Sequence, residues 1–266
     1  MNNNINNSEY LLNIKTIQAS TIKLVIDAMK EILMDVNLEF DDTGMKIIAL
    51  DNTHIVLIHL KLEAEKFERY YCEKKLYVGI NMLKFHMLIK TITNSDILSL
   101  FILKSDPNIL GITIENGERN VKTTYRLSML DIDVVNVDIP PADFNTIITM
   151  PSTYLQKIIR DMHNLAEYIE IKNISGKLIL SCQGEFCCQE TILATETQNI
   201  QIKNNENSQE IIQGVFSLKY LSIFTKCTNL CSTVEIYLKN SYPIILQYGI
   251  ASMGSVKLCL AQKSED

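Results

Sequence analysis

The chain has 266 residues, of which 47% are hydrophobic and 21% are charged, and its formal net charge is −6. This composition excludes wholesale disorder, because enough apolar surface is available for a sizeable core. The longest nearly uncharged apolar run, residues 97–103, is too short to span a membrane, so no membrane partner is expected. The acidic balance also excludes DNA binding through bulk positive charge, so any DNA-binding surface requires basic residues sorted onto one face.

Signals for secretion and for catalysis are both missing from the sequence. Seven cysteines, an odd number with no CxxC pair, favour a reducing compartment over a disulfide framework. No GxxxxGK[ST], HExxH or nucleophile-elbow motif occurs. Asp131 and Asp133 form a DxD pair, but the predicted connector that contains them offers little to complete a metal site. The sequence therefore predicts no catalytic residue, no metal and no cofactor.

Taken in chain order, most of the sequence predicts short strands separated by turn signals. Only four segments have the apolar periodicity of amphipathic helices. They cover residues 20–36, 80–93, 151–165 and 215–228. Ser20 or Thr21 is the expected N-cap of the first helix, and Pro151 suits the first turn of the third.

The four predicted helices form two similar pairs. Met29 in the first helix and Met162 in the third are 133 residues apart, and Leu83-Lys84-Phe85 matches Leu218-Lys219-Tyr220 at a displacement of 135. Two matched pairs at nearly one spacing indicate two similar α+β domains in tandem. Pro140-Pro141 places the join within residues 130–144, because two prolines interrupt regular structure.

The predicted organisation has five parts. The polar N-terminus is expected to be a disordered tail, since it lacks the basic start and apolar block of a secretory signal. In order, the parts are a tail (1–10), a first domain (11–128), a connector (129–143), a second domain (144–261) and a C-terminal tail (262–266).

Basic residues recur on the polar face of each predicted helix. The stripes are clearest in the third and fourth helices, whereas the first has Asp27 between its two lysines and the second is weak. An ordinary solvated face is the alternative for any one helix. Repeated stripes in an acidic protein favour phosphate contacts that do not depend on DNA sequence. The residues concerned are Lys23, Lys30, Lys90, Lys157, Arg160, Lys219 and Lys226.

From about residue 12 to its end, the chain resembles the proliferating cell nuclear antigen family, the eukaryotic DNA sliding clamps. Five segments carry the resemblance in the family's order. They are "IIALDNTHIVLIHLKL" (47–62), "MLDIDVVNVDIP" (129–140), "MPSTYLQKIIRDM" (150–162), "LKYLSIFTKCTNLCSTVEI" (218–236) and "YGIASMGSVKLCLAQK" (248–263).

The resemblance implies a DNA-clamp fold of class α+β, with antiparallel sheets outside and two helices per domain on the inner face. Three chains would join head to tail into a ring that encircles double-stranded DNA without sequence preference. The subunit interface would pair the edge strand 121–130, which contains Tyr125, with residues 185–195. The seven basic residues match family positions that face DNA. An ATP-dependent clamp loader is implied as a partner.

The resemblance also implies a hydrophobic pocket under the connector, which receives anchor peptides from DNA polymerases, nucleases and ligases. The matching positions are Leu50, His54, Ile55, Val137, Ile139, Pro140, Pro243, Cys259, Ala261 and Gln262. The family usually has an aromatic residue at Cys259 and a proline at Gln262, so the pocket is expected to be altered. The family's modification lysine aligns with Ser175, and two inner-face lysines become Leu24 and Met87.

Three functions follow as hypotheses. The first is a homotrimeric replication clamp, and the second is a specialised paralogue or a checkpoint-type subunit of a heterotrimeric ring. The third, a nuclease, lacks the acid cluster that metal-dependent cleavage requires. The expected location is the nucleus, or a replication site if the chain belongs to a large DNA virus.

Overall fold

The computed structural model describes residues 7–51, 53–134, 143–174, 176–194, 200–204 and 211–263. The chain forms two compact units. The first contains Met1–Ala49, Leu60–Asn136 and Ile250–Gly254, and the second contains Leu50–His59, Val137–Gly249 and Ser255–Asp266. We call these units the first and second domains. They differ from the predicted continuous domains because residues 50–59 and 250–254 group with the other half of the chain.

The described residues in the first half of the chain form nine strands. They are β1 (Tyr10–Thr16), β2 (Asp35–Asp41), β3 (Gly44–Leu50), β4 (Val56–Glu63), β5 (Arg69–Cys72), β6 (Leu76–Asn81), β7 (Asp96–Leu103), β8 (Asp106–Asn116) and β9 (Val121–Ser128). Buried and more exposed side chains alternate most regularly in β2, β4 and β7, as expected for sheets covered on one face. Five of the strands form an antiparallel sheet in the order β5-β1-β7-β8-β9, and β6, β2 and β3 are neighbours in a second sheet.

The second half repeats this arrangement. Strands β13-β12-β11-β15 form a four-stranded sheet, and β14-β10-β16-β17 are consecutive neighbours in another. The strands are β10 (Thr146–Pro151), β11 (Tyr168–Ile174), β12 (Lys177–Gln183), β13 (Cys188–Ala194), β14 (Gln201–Asn204), β15 (Ile212–Ser217), β16 (Thr233–Leu238), β17 (Ile244–Ile250) and β18 (Gly254–Leu260). The neighbours β5-β1-β7 thus correspond to β14-β10-β16, and β6-β2-β3 to β15-β11-β12. The predicted duplication is confirmed.

Helix α1 (Ala19–Met29) is shorter than predicted. The predicted end at residue 36 was wrong, because Asp35–Asp41 forms strand β2 with alternating buried side chains. The predicted N-cap was also wrong. Gln18 occupies that position without a side-chain cap, and its backbone N–H donates to Thr16 Oγ1 at 3.0 Å.

Helices α1 and α3 (Ser152–His163) match at the predicted spacing of 133 residues. Pro151 ends β10 and precedes α3 as its N-cap residue. Met29 and Met162 are both fully buried, and the flanking buried positions agree as well. Equivalent side chains therefore fill the two cores.

Helices α2 (Met82–Ile89) and α4 (Leu218–Phe224) match at 136 residues, so the predicted spacing of 135 was wrong by one residue. Met82 and Leu218 each begin their helix and are both 0% exposed, whereas Leu83 is 49% exposed. Burial therefore aligns Leu83 with Lys219, although residue identity had aligned Leu83 with Leu218. A 3₁₀ turn, Thr225–Asn229, continues α4.

The N-terminal segment and the start of the connector carry structure that was predicted to be irregular. Asn7–Glu9 form a 3₁₀ turn and Tyr10 begins β1, so the predicted tail of residues 1–10 was too long by these four residues. The backbone N–H of Leu130 donates to Gly79 O at 2.8 Å, which fixes the first connector residues along β6. A Cβ at Gly79 would lie 2.2 Å from Leu130 O, so this close approach requires glycine.

Three further findings concern the chemistry of the described residues. None of their helices has the length and apolar character needed to cross a membrane. No group of three or more His, Cys, Asp or Glu side chains among them is arranged to hold a metal ion. The seven cysteines, all within the described ranges, are free thiols.

Candidate nucleic-acid interface and partner-docking surface

The basic side chains of the second domain lie on the exposed side of α3 and α4. Lys157, Arg160 and Lys219 are exposed, as is Lys226 in the following 3₁₀ turn. Arg160 Nε lies 3.6 Å from Asp161 Oδ1, but both side chains remain largely exposed, and such pairs contribute little to stability. Lys219 Nζ lies 5.7 Å from the centre of the Tyr220 ring. This face presents several cations to solvent.

Lys23 of the first domain is directed to the protein backbone instead. Its Nζ donates to Ile92 O at 2.5 Å, just beyond the end of α2, and the residue is only half-exposed. The equivalent residue in the second domain is Gln156, whose Nε2 donates to Thr225 O at 2.9 Å, just beyond the end of α4. Each side chain therefore links one helix of its pair to the backbone that directly follows the other helix.

Lys30, the second basic residue of α1, belongs to a cluster with Asp27 and His86. Lys30 Nζ lies 2.5 Å from Asp27 Oδ1, and His86 Nε2 lies 3.0 Å from the same oxygen. The hydrogen bond from Lys30, its charge and that of His86 lower the pKa of Asp27, against the opposing effect of burial. Burial, together with the charges of Lys30 and Lys90, lowers the pKa of His86, although Asp27 opposes that shift. The positive charge of Lys30 is therefore balanced within the protein.

Three exposed residues on this side of α1 and α2 are apolar, and Lys84 of α2 is exposed as well. Leu24 is 37% exposed, Leu83 is 49% exposed and Met87 is 53% exposed. Lys90, which directly follows α2, is exposed beside them. Of the three basic residues predicted to face DNA in the first domain, only Lys90 resembles its counterparts in the second.

The predicted peptide pocket contains a loop organised by Asp51 in the second domain. The backbone N–H groups of Ile55 and Val56 donate to Asp51 Oδ1 at 2.9 and 2.8 Å, and Thr53 Oγ1 donates to Asp51 Oδ2. Burial opposes ionisation of this carboxyl, but these hydrogen bonds outweigh it and lower the pKa of Asp51. His54 adopts φ 57°, a left-handed conformation that the loop hydrogen bonds maintain.

The C-terminal segment lies beside this loop. The backbone N–H of Ala261 donates to Ile55 O at 3.0 Å, and Gln262 Nε2 donates to Tyr242 O, next to Pro243, at 2.9 Å. Hydrogen bonds thus join two pairs of predicted pocket segments. The predicted C-terminal tail of residues 262–266 begins too early, since Gln262 and Lys263 both make hydrogen bonds.

The remaining predicted pocket residues differ in accessibility. His54 and Ile55 are exposed, and Leu50, Pro243, Ala261 and Gln262 are half-buried. Cys259 is only 9% exposed, and burial raises the pKa of its thiol to about 11, so it is a neutral and largely covered residue. Val137, Ile139 and Pro140 lie outside the described residues, as does Ser175.

Tyr125 lies on β9, an edge strand of the five-stranded sheet. Its side chain is half-buried, and Tyr125 pairs with Ile112 of β8. Strand β13 is an edge of the four-stranded sheet and pairs with β12. Val121 on β9 is 52% exposed and Ile192 on β13 is 55% exposed. Two edge strands with accessible apolar residues are features that proteins usually cover by pairing.

Sequence reasoning missed the contacts that Gln156 and His86 make between helices. The sequence gives no signal that Gln156 spans two helices, since polar residues on a solvated face look alike. His86 lies one turn before Lys90 in the sequence, but its contact with Asp27 depends on how α1 packs against α2. The usable signal was the aspartate between Lys23 and Lys30, because a carboxylate three residues from a lysine on a helix pairs with it.

Comparisons with known proteins cover nearly the whole chain. The family model for the N-terminal domain of proliferating cell nuclear antigen matches residues 11–137, and the model for its C-terminal domain matches residues 138–263. A protein of Paramecium bursaria Chlorella virus 1, named probable DNA polymerase sliding clamp 1, is 39% identical over 255 residues. That match covers 94% of this chain and 96% of the viral protein.

Two cellular proteins give the same result. The proliferating cell nuclear antigen of Chaetomium thermophilum is 32% identical over 252 residues, with 94% of this chain and 96% of the fungal protein covered. The crystal structure of the corresponding protein from Entamoeba histolytica superposes with a TM-score of 0.87 at 25% identity, covering 96% of this chain and 100% of that one. The predicted α+β, two-domain DNA-clamp fold is confirmed. The chain belongs to the proliferating cell nuclear antigen family of DNA sliding clamps.

Proposed function

We propose that the protein is a processivity clamp, a non-catalytic ring that encircles duplex DNA and keeps a DNA polymerase on its template. The observation that carries this proposal is the duplicated fold, in which α3 and α4 display exposed basic residues and the exposed Lys90 follows α2. Phosphate contacts of this kind are independent of base sequence, so they hold a duplex while allowing the protein to slide.

In this proposal, three copies of the chain close the ring by pairing β9 of one copy with β13 of the next. Such a head-to-tail interface closes when the rotation per subunit divides the circle. The exposed Val121 and Ile192 and the half-buried Tyr125 support it, because edge pairing would cover these side chains. Family membership supports an ATP-dependent loader as the partner that opens the ring.

Partner proteins would dock in the predicted peptide pocket through a short hydrophobic anchor. The exposed Ile55 and the adjoining Ala261 support a docking surface here, while the covered Cys259 and the hydrogen-bonded Gln262 replace an aromatic residue and a proline. These replacements favour a restricted set of polymerase, nuclease and ligase partners. They also support the alternative of a specialised paralogue or a heterotrimer subunit. The viral and fungal relatives support action in the nucleus or at a viral replication site.

The test is topological. The protein, a eukaryotic clamp loader and ATP are incubated with nicked circular duplex DNA, and DNA-bound protein is isolated by gel filtration before and after one restriction cut. Encirclement predicts that the protein stays on the circle and is lost from the linear DNA, because a ring slides off free ends. Equal retention on both forms would contradict encirclement.

A further inference from the structure

The two helix pairs can be compared position by position, because burial fixes their alignment. Residues of α1 align with those of α3 at a spacing of 133, and residues of α2 align with those of α4 at 136. Buried, half-buried and exposed positions then agree along most of both pairs. Each basic residue on the helices of the second domain therefore has a defined counterpart in the first.

Three of the four counterparts are not basic. Lys157 aligns with Leu24, Arg160 with Asp27 and Lys219 with Leu83. These six residues are all exposed, so the difference lies on the accessible face and has no packing cause. Lys226 aligns with Lys90, which is the one matched basic pair among the four.

Lys23 and Lys30 of the first domain do not replace the missing cations, and the exposed Lys84 aligns with Tyr220. Lys23 aligns with Gln156, and both bond a backbone carbonyl beyond the neighbouring helix at 2.5 and 2.9 Å. Lys30 aligns with His163, but its Nζ lies 2.5 Å from Asp27 and 3.5 Å from His86 Nε2. Part of the hydrogen-bonding capacity of each ammonium is therefore used within the protein, and the carboxylate of Asp27 offsets the charge of Lys30.

Formal charge alone does not reveal this difference. With the residues that directly follow each helix, α1 and α2 carry Lys23, Lys30, Lys84 and Lys90 against Asp27, while α3, α4 and the following 3₁₀ turn also carry four basic residues against Asp161. The two sets are equal in net charge. Accessibility separates them, because Lys23 and Lys30 are half-buried and bonded within the protein.

We propose that the second domain supplies most of the phosphate contacts, and that the helix face of the first domain binds DNA weakly because Lys30 is paired with Asp27. This inference rests on the proposed function and assigns its DNA contacts. A ring of three chains would then have three strongly basic faces instead of six. Fewer contacts make the hold on DNA weaker and make its dependence on salt less steep.

The test compares two double variants that each remove two positive charges, K157Q/R160Q in the second domain and K23Q/K30Q in the first. Glutamine keeps a hydrogen-bond donor, so K23Q can retain the bond to Ile92 O as Gln156 does in its own domain. Affinity for a short fluorescent duplex is measured by anisotropy across a salt series. Thermal melting and light scattering show whether each variant is folded and has the mass of the wild type.

K157Q/R160Q is expected to make the plot of log affinity against log salt less steep by about 1.8 for each subunit that contacts the duplex, because each lost phosphate contact removes about 0.9. K23Q/K30Q is expected to reduce the steepness by less than about 0.5 per subunit. The control K74Q/K177Q removes two exposed charges away from the helices and should leave the slope at the wild-type value. The variant L24K/D27R, which copies the second domain into the first, should steepen it.

Equal decreases from K157Q/R160Q and K23Q/K30Q, or no increase from L24K/D27R, would overturn this inference while leaving DNA encirclement intact. A wild-type protein that has the mass of a trimer but no salt-dependent affinity for duplex DNA would overturn both this inference and the proposed function. The two failures are therefore distinguishable in one set of measurements.

Discussion

Met29 and Met162 lie at equivalent positions of α1 and α3 and are both fully buried, whereas Asp27 and Arg160, two residues earlier, are exposed and opposite in charge. The two domains are thus alike in their cores and different on the helix faces predicted to meet DNA. Packing explains the first observation, since close-packed interiors tolerate few changes of volume. A solvated face has no such constraint, so the duplicated helices could acquire different functions.

The largest effect is expected in the cores. Met29→Ala and Met162→Ala should each lower the free energy of unfolding of their domain by about 2–5 kcal/mol, because each leaves a cavity in a packed core. Urea denaturation, followed by probes in each domain, measures both. The comparison predicts similar costs at the two positions. A cost below about 1 kcal/mol at only one of them would show that the cores are not equivalent.

The next effect concerns the carboxylate that pairs with Lys30. Asp27→Asn should steepen the salt dependence of DNA affinity by about 0.9, because it frees Lys30 for one more phosphate contact. Asp161→Asn is the matched control, since it removes the same charge from the second domain but releases only an exposed Arg160, 3.6 Å away. Anisotropy titrations measure both variants. Equal changes would mean that total charge, and not the pairing of Lys30, controls binding.

The smallest effect is on the protonation of His86. Burial and the charges of Lys30 and Lys90 lower the pKa of His86 below its ordinary value of 6.5. Lys30→Ala should therefore raise this pKa and Asp27→Asn should lower it further, as measured by NMR titration of the imidazole. Shifts of the pKa in the opposite directions would show that Lys30 and Asp27 do not act on His86 in this way.

The lowered pKa of His86 also predicts the direction in which stability changes with pH. A histidine with a lowered pKa in the folded state binds fewer protons there than in the unfolded chain. Its contribution is fully present above pH 6.5 and is lost as the pH falls through the lowered pKa. The shift at Asp27 acts in the same sense below its ordinary value of 3.8. Thermal melting of His86→Gln should consequently depend less on pH than that of the wild type between neutral pH and the lowered pKa.

Much of the fold could be predicted, because apolar periodicity records which side chains are buried. The duplication and the four helices follow from that pattern, whereas the edge position of the strand with Tyr125 was implied by the family resemblance. The end of α1 could not be placed, since Ile32, Leu33 and Val36 continue the helical spacing of apolar residues beyond Met29, although Val36 already belongs to β2. The spacing of α2 and α4 was missed by one residue, because matching letters favoured Leu218 where burial requires Leu83 to align with Lys219.

The candidate sites were less predictable. Sequence spacing identified the basic residues, but it could not tell an available lysine from one bonded to Ile92 O or to Asp27, because those contacts join two helices. The family resemblance placed the peptide pocket, and the fold brings Ile55 next to Ala261 and Gln262 next to Tyr242. The peptide pocket itself, including Val137, Ile139 and Pro140, stays a prediction.

Light scattering across a dilution series would show most directly whether three identical chains form a ring. Pairing of β9 with β13 predicts a mass of three times 30.3 kDa that persists on dilution, with Val121→Lys and Ile192→Lys each lowering it. A monomer mass at every concentration for the wild-type chain would contradict a self-sufficient ring and would favour a subunit that needs other chains to complete the circle.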